Sequence, residues 1–307
     1  MTGDRDFVVS ETSDLSVSDI LRTLSAGYGR DFSEDWFAWK HREGPWGPSR
    51  CVVARDDVGL LGVGFALPWR LEVGQTSVEG ARLVDGTTAP RAVRRGVFRA
   101  VVATLRDMWD PISHPGIAIA TATPPARDSH VKNGAVALEA IGLSYCAVRP
   151  SLARVESGTS ALEGYRRDSS AGRFATEWSP DSLRWRLDPR SGCEYQVSRL
   201  VESDSAHGVV HRTATSRGLR SLVITTQWGP KRDREQLIRS LARRSRAVAV
   251  LAPMGPGTPA PPRRMALSRG GSLLCIWDRT GIDAGLPTSP TIRSSWSLDG
   301  LALEGVI

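Results

Sequence analysis

Residue types that could do covalent or metal chemistry are sparse in this chain. The cysteines Cys51, Cys146, Cys193 and Cys275 lie far apart, with no C-x-x-C pair and no histidine at ligand spacing. Most of them sit in apolar, strand-like runs, where cysteine behaves as a small buried hydrophobe. They are read as reduced core residues, not as zinc ligands or structural disulfides. His41, His114, His130, His207 and His211 are isolated in sequence. Of these, His130, at the start of a helical pattern, is the one kept as a candidate. The chain holds no G-x-x-x-x-G-K-[ST] phosphate loop, no G-x-S-x-G nucleophile elbow and no H-E-x-x-H zinc motif.

Charge points to an anionic ligand. The 307 residues carry a formal net charge of +7, yet lysine occurs only at Lys40, Lys132 and Lys231, the other basic residues being arginine. The arginines are dispersed among acids without a long basic block, which argues against nucleic acid as a partner. An electropositive surface of this kind still favours a phosphorylated cofactor. Hydrophobic residues make up 40% and charged residues 24% of the chain, as in an ordinary globular protein. The apolar run from Ala247 to Met254 is far shorter than the roughly 20 residues a membrane span needs. With a polar N-terminus unlike a signal peptide, the expectation is a cytoplasmic protein that does not enter a membrane.

The elements that must position a site follow from periodicity and from one repeated pattern. Ser33, Asp35, Phe37, Trp39 and Lys40 read S-x-D-x-Φ-x-W-basic, and Ser179, Asp181, Leu183, Trp185 and Arg186 read the same. A period this long suggests a duplicated domain, since solenoid repeats are roughly 20–50 residues. After the first copy, Cys51–Ala54, Leu60–Val73 and Thr76–Val84 read as an antiparallel meander turned at Asp56–Gly59 and at Gly74-Gln75. From Val93 to Trp109 the period changes to a helical stripe through Val97, Val101 and Leu105. Ile117–Ala122 is a small-residue strand. Ser129 is expected to cap a helix running to Ile141, and Tyr145–Val148 to form a closing strand. The second half shows a meander at Gln196–Val201, Gly208–Thr213 and Arg220–Thr226. A basic helix at Asp233–Arg243 and strands at Ala247–Ala252, Leu273–Trp277 and Trp296–Leu298 complete it, with a Pro/Gly-rich loop at Gly255–Pro262.

Three stretches resemble the GNAT acetyltransferase superfamily, in particular a tandem subgroup with W-x-W-K near its start. They are Trp36-Phe37-Ala38-Trp39-Lys40; Val84-Asp85-Gly86-Thr87-Thr88-Ala89-Pro90 leading into Arg94-Arg95-Gly96-Val97-Phe98; and Pro125-Ala126-Arg127-Asp128-Ser129 followed by Ala140-Ile141-Gly142-Leu143. Trp296-Ser297-Leu298-Asp299-Gly300 is similar to that subgroup's last strand. The resemblance implies an α/β fold of two GNAT-like domains in tandem, each a mixed, mostly antiparallel sheet flanked by helices. The expected division is 1–155, binding the acyl-CoA, and 156–307, a degenerate repeat.

The activity implied is acetyl transfer from acetyl-CoA to a primary amine of a small molecule such as an amino sugar; a homodimer is compatible with it. The pyrophosphate would lie at the helix start, on backbone N–H groups around Arg94, Arg95, Gly96, Val97 and Phe98. The pantetheine arm would pair with the strand edge at Leu83 and Val84. Glu79 and Asp85 are the acids placed to accept the amine's proton, with Asp85 alternatively closing an Asx turn. The usual acid tyrosine falls at Leu138, leaving Tyr145 as the substitute or as a packing residue.

The cofactor loop also departs from the family pattern. Matched to R-G-x-G, Val93 replaces the arginine and Arg94 the first glycine, so only Gly96 remains. In the second half the matching turn reads Gln227-Trp228-Gly229-Pro230-Lys231-Arg232, and no cofactor is expected there. A catalytically silent protein of the same fold, binding a ligand or partner, is therefore the alternative.

Overall fold

A computed structural model describes residues 6–13, 16–108, 116–140, 142–146, 151–165, 172–203, 205–216, 218–254, 273–278, 289–290 and 296–297. The chain divides into two units, one of residues 1–71, 77–139 and 273–286, the other of 72–76, 140–272 and 287–307.

The first unit opens with β1 (Val8–Thr12), the amphipathic helix α1 (Val17–Tyr28) and the single turn α2 (Glu34–Phe37). Ser33 caps α2 by accepting a hydrogen bond from the Trp36 N–H, as the repeated pattern requires. A π-helical turn, Ala38–Arg42, continues it. The meander is β2 (Arg50–Asp56), β3 (Gly59–Val73) and β4 (Thr76–Thr88). Asp56 Oδ1 accepts from the N–H groups of Val58 and Gly59, which sets the β2–β3 turn.

Beyond β4 come α3 (Val97–Asp107), β5 (Ile117–Ala122), α4 (Pro124–Lys132) and β6 (Val136–Ala140). The sheet runs β1-β2-β3-β4-β5-β14-β6, where β14 is Leu273–Asp278 from late in the chain. Its core is a cluster of Val52, Ala54, Leu61, Val97, Val101, Leu105, Cys275 and Trp277, packed between the sheet and α3.

Two expectations are corrected here. Ser129 lies inside α4, whose start is set by Pro124 at the first helical position. The expected helix to Ile141 stops at Lys132, because Gly134 turns left-handed at φ 89°, and 136–140 is a strand. The helical stripe also begins later than expected, at Val97, because a 3₁₀ turn (Pro90–Ala92) and left-handed residues precede it. Trp109, Ile141 and the Gly255–Pro262 loop lie outside the described residues.

In the second unit the sheet runs β7-β13-β12-β11-β10-β8. Its strands are β7 (Gly142–Cys146), β8 (Val155–Ser157), β10 (Gln196–Leu200), β11 (Gly208–Ser216), β12 (Leu219–Trp228) and β13 (Ala249–Met254). Helix α6 (Lys231–Arg244) joins β12 to β13, and Leu237 and Leu241 pack against Leu222, Ile224 and Val250. A short strand, β9 (Phe174–Thr176), bridges to Trp296, and α5 (Pro180–Arg186) carries the second copy of the pattern. There Ser179 caps by accepting from Ser182 N–H. The two copies agree in burial as well: Lys40 and Arg186 are both 3% exposed.

Both sheets follow one plan. A meander ends in a strand, a helix crosses, and the next strand runs parallel to that last one: β4-α3-β5 and β12-α6-β13. An antiparallel strand then covers the far edge, and in each sheet it comes from the other half of the sequence. It is β14 beside β5, and β7 beside β13.

Candidate functional site

The parallel ladder between β4 and β5 is short. Gly80, Ala81 and Arg82 pair with Ile117, Ala118 and Ile119, and among the described residues the pairing goes no further. Both strands nevertheless continue, β4 to Thr88 and β5 to Ala122. From Leu83 onward β4 therefore turns an unladdered backbone edge toward β5, which is the edge an extended ligand can join as an added strand. The opposite edge of β5 is already taken by β14, from Ala122 with Leu273 to Ile117 with Asp278.

Helix α3 begins beside this sequence stretch. Its cap is Gly96 at φ 79°, which has no side chain to bond the first N–H groups. Those of Val97 and Phe98 are thus available to an anion. Arg94, where the resemblance leads one to expect a glycine, is itself left-handed at φ 69°. The loop keeps the backbone course of a glycine while carrying a guanidinium, at a steric cost of about 1–2 kcal/mol for an L-residue. Arg91 is engaged elsewhere, its two terminal nitrogens on Asp56 at 2.7 and 2.9 Å. Arg95 reaches Asp56 only at 3.8 Å, and both it and Arg94 are exposed.

The acids separate sharply. Asp85 lies within β4 at φ 48° with its side chain 13% exposed. Its Oδ2 is 2.7 Å from Lys40 Nζ and 3.2 Å from His41 Nε2. Burial alone would raise its carboxyl; the charges of Lys40 and His41 outweigh that and hold it well below the ordinary carboxylate range. So depressed a carboxylate is a weak proton acceptor. Glu79 is exposed on β4, about 13 Å along the strand before Leu83 at the usual rise per residue.

The cluster rests in an aromatic box. The His41 ring lies 4.0 Å from that of Phe65 and 5.0 Å from that of Phe37, with its Nδ1 3.0 Å from Ser49 Oγ. Lys40 Nζ stands 5.1 Å over the Trp36 ring. Sequence reasoning singled out the motif holding these residues but assigned neither Lys40 nor His41 to a site. The available signal was a lysine and a histidine adjacent to four aromatic or small apolar residues, where solvation is poor.

Other candidates are placed elsewhere. Tyr145 is in β7, paired with Leu251, and its side chain lies outside the described residues. Leu138 is buried in β6. His130 is 5% exposed between the rings of Phe98 and Trp277, and burial pushes its imidazole down to about 4. Burial likewise pushes the Cys51 thiol up to about 12 and that of Cys275 up to about 11, so neither is a nucleophile near neutral pH. The described residues contain no cluster of groups able to hold a metal ion.

Solved structures share this fold. A conserved protein from Enterococcus faecalis V583 described as a probable N-acyltransferase superposes at TM-score 0.67 with 10% identity, over 89% of this chain and 72% of its own. A GCN5-related N-acetyltransferase from Anabaena variabilis matches at 0.67 and 12%, over 89% and 73%. Another from Kribbella flavida matches at 0.60 and 15%, over 90% and 72%. The fold is that of the GCN5-related N-acetyltransferases. No protein-family model and no curated protein matches the sequence, so the likeness to the GNAT enzymes resides in the fold. No helix among the described residues is long and apolar enough to cross a membrane.

Proposed function

We propose that this protein is an N-acyltransferase that uses acetyl-CoA to acylate a primary amine of a small molecule, an amino sugar being one such acceptor. The observation that carries the reading is the short β4/β5 ladder, ending at Arg82 and Ile119 just before the turn that leads to a free helix start. The residues present suit the donor. Backbone groups of Leu83 and Val84 offer strand pairing to an amide-bearing arm, and Val97 and Phe98 N–H groups offer donors to its phosphates. Arg94 and Arg95 add positive charge there. Acetyl-CoA would supply a thioester activated toward an amine.

The acceptor's proton must leave before attack. Asp85 is committed to Lys40 and His41, so Glu79 acting through water is the carboxylate that remains on β4. Tyr145, the donor the resemblance offers for the departing thiolate, stands in β7 of the second unit, so no proton donor is assigned within the first. The second unit lacks the glycine pair of the cofactor loop, and Pro230 removes a donor at its helix start. Donor binding is therefore assigned to the first unit.

Calorimetric titration with acetyl-CoA, with desulfo-CoA as control, tests this directly. One-to-one binding is expected, and Val84→Pro, which removes a backbone N–H and fixes φ on the strand beside the opening, is expected to weaken it at least about tenfold, or 1.4 kcal/mol. Gly96→Val is expected to act similarly. A Cβ at Gly96 meets no atom within 4 Å, so its effect comes from the left-handed φ alone. No heat at millimolar ligand would sink the proposal and leave a silent protein of the same fold.

A further inference from the structure

We infer that Lys40 and His41 are positioning residues: together they clamp Asp85 in a left-handed kink that fixes the course of β4 along the opening and against α3, a role that rests on the acyl-transfer reading above. A left-handed conformation is uncommon for a residue with a Cβ and persists where the surroundings over-determine it. Here they do. Two cationic or polar groups converge on one carboxylate oxygen at 2.7 and 3.2 Å, and both of their residues are 3% exposed.

The π-helical turn explains how consecutive residues serve one oxygen. The Glu43 N–H donates to the Ala38 carbonyl at 3.0 Å, five residues back, and the widened turn carries Lys40 and His41 on its inner side. Trp39 is fully buried, while Trp36 lies under Lys40 and the rings of Phe37 and Phe65 flank His41. In this way the aromatic motif removes solvent from the pair and holds both heads on Asp85.

What the kink positions is next in sequence. Gly86 follows, and a Cβ there would stand 2.8 Å from Cε2 of Phe98, the second residue of α3. The Gly86 carbonyl also accepts a hydrogen bond from Tyr28 Oη at 3.3 Å. Fixing Asp85 thus fixes the separation between the strand edge at Leu83–Val84 and the helix start at Val97–Phe98. A donor that spans both features needs that separation held.

The clamp and a catalytic carboxylate make different predictions. Removal of a proton acceptor lowers kcat and leaves acetyl-CoA affinity unchanged. Loss of the clamp weakens acetyl-CoA itself. Lys40→Met and Asp85→Asn are expected to raise the Kd for acetyl-CoA at least tenfold, with the double variant no weaker than the weaker single one. Asparagine tolerates the left-handed region, so Asp85→Asn guards against simple misfolding of the methionine variant.

Hydrogen exchange by NMR or mass spectrometry supplies a readout independent of activity. Amides of residues 85–88 and 100–102 are expected to exchange at least tenfold faster in both variants, with β2 unchanged. Unchanged exchange in Asp85→Asn would overturn the clamp, as would unaltered acetyl-CoA affinity alongside a reduced kcat. If the wild-type protein does not bind acetyl-CoA, the acyl-transfer reading falls while the exchange result still decides the clamp.

Discussion

Residues 1–155 produced alone are expected not to reach the native fold. That fragment holds the meander, α3, β5, α4 and β6, but it lacks β14. In the whole chain β14 fills the slot between β5 and β6, pairing with every residue of β5. Leu274, Ile276 and Trp277 are buried to 1%, 0% and 3% exposure. Burial of each large apolar side chain is worth about 1.5–3 kcal/mol. Losing three of them removes about 5–9 kcal/mol, comparable with the total stability of a typical domain. Trp277 also donates from Nε1 to the Asn133 carbonyl at 3.0 Å, which secures the end of α4.

Near-UV circular dichroism and a urea titration of the fragment check this. The expected result is a flat near-UV spectrum and a non-cooperative titration, restored on adding a peptide of residues 268–284. A cooperative melt without the peptide would overturn the prediction. It would mean that the fragment's own β7 had entered the place of β14, which the shared plan of the two sheets makes the specific competing structure.

Acid is expected to unfold the protein well before its carboxylates titrate. Burial pushes both His130 and His211 down to about 4 from an ordinary value of 6.5, with Arg244 adding to the effect at His211. The sign follows from proton counts. Below pH 6.5 the unfolded chain takes up a proton on each ring that the folded chain refuses, so stability falls as pH falls. At pH 5 each histidine accounts for a loss of about 2 kcal/mol relative to neutral pH, approaching about 3 kcal/mol at pH 4. The ion-paired Asp85 and Asp56 act in the same direction over a lower range: their carboxyls are depressed, so they withdraw stability as pH falls from the ordinary carboxylate range through their lower folded values.

Urea titrations between pH 7.5 and 4.5 measure the slope. His130→Leu, which keeps an apolar group between Phe98 and Trp277, is expected to flatten the curve by about half. An unchanged slope in that variant would show that His130 is not the group titrating.

Much of this architecture could be read without coordinates, because it is local. Hydrophobic period marks both meanders, the helix through Val97, Val101 and Leu105, and the basic helix near 233–243. Ser33 and Ser179 announce their helix starts, since a cap is a bond between residues three apart. The buried basic residue shared by the two copies was visible as Lys40 and Arg186 before its burial was known.

Other features needed the tertiary structure, and the reason is physical. Strand partners are chosen by hydrogen bonds between residues far apart, so no local pattern tells that Leu273–Asp278 completes the first sheet or that Gly142–Cys146 joins the second. The end of the β4/β5 ladder is likewise a relation between two strands. Arg94 looks like the loss of a glycine, yet its backbone stays left-handed because neighbouring structure dictates φ. Asp85 shows the difference most plainly. In sequence it is a carboxylate at the end of a strand; in the fold, Lys40 and His41 arrive from 45 and 44 positions earlier and stand 2.7 and 3.2 Å from its Oδ2.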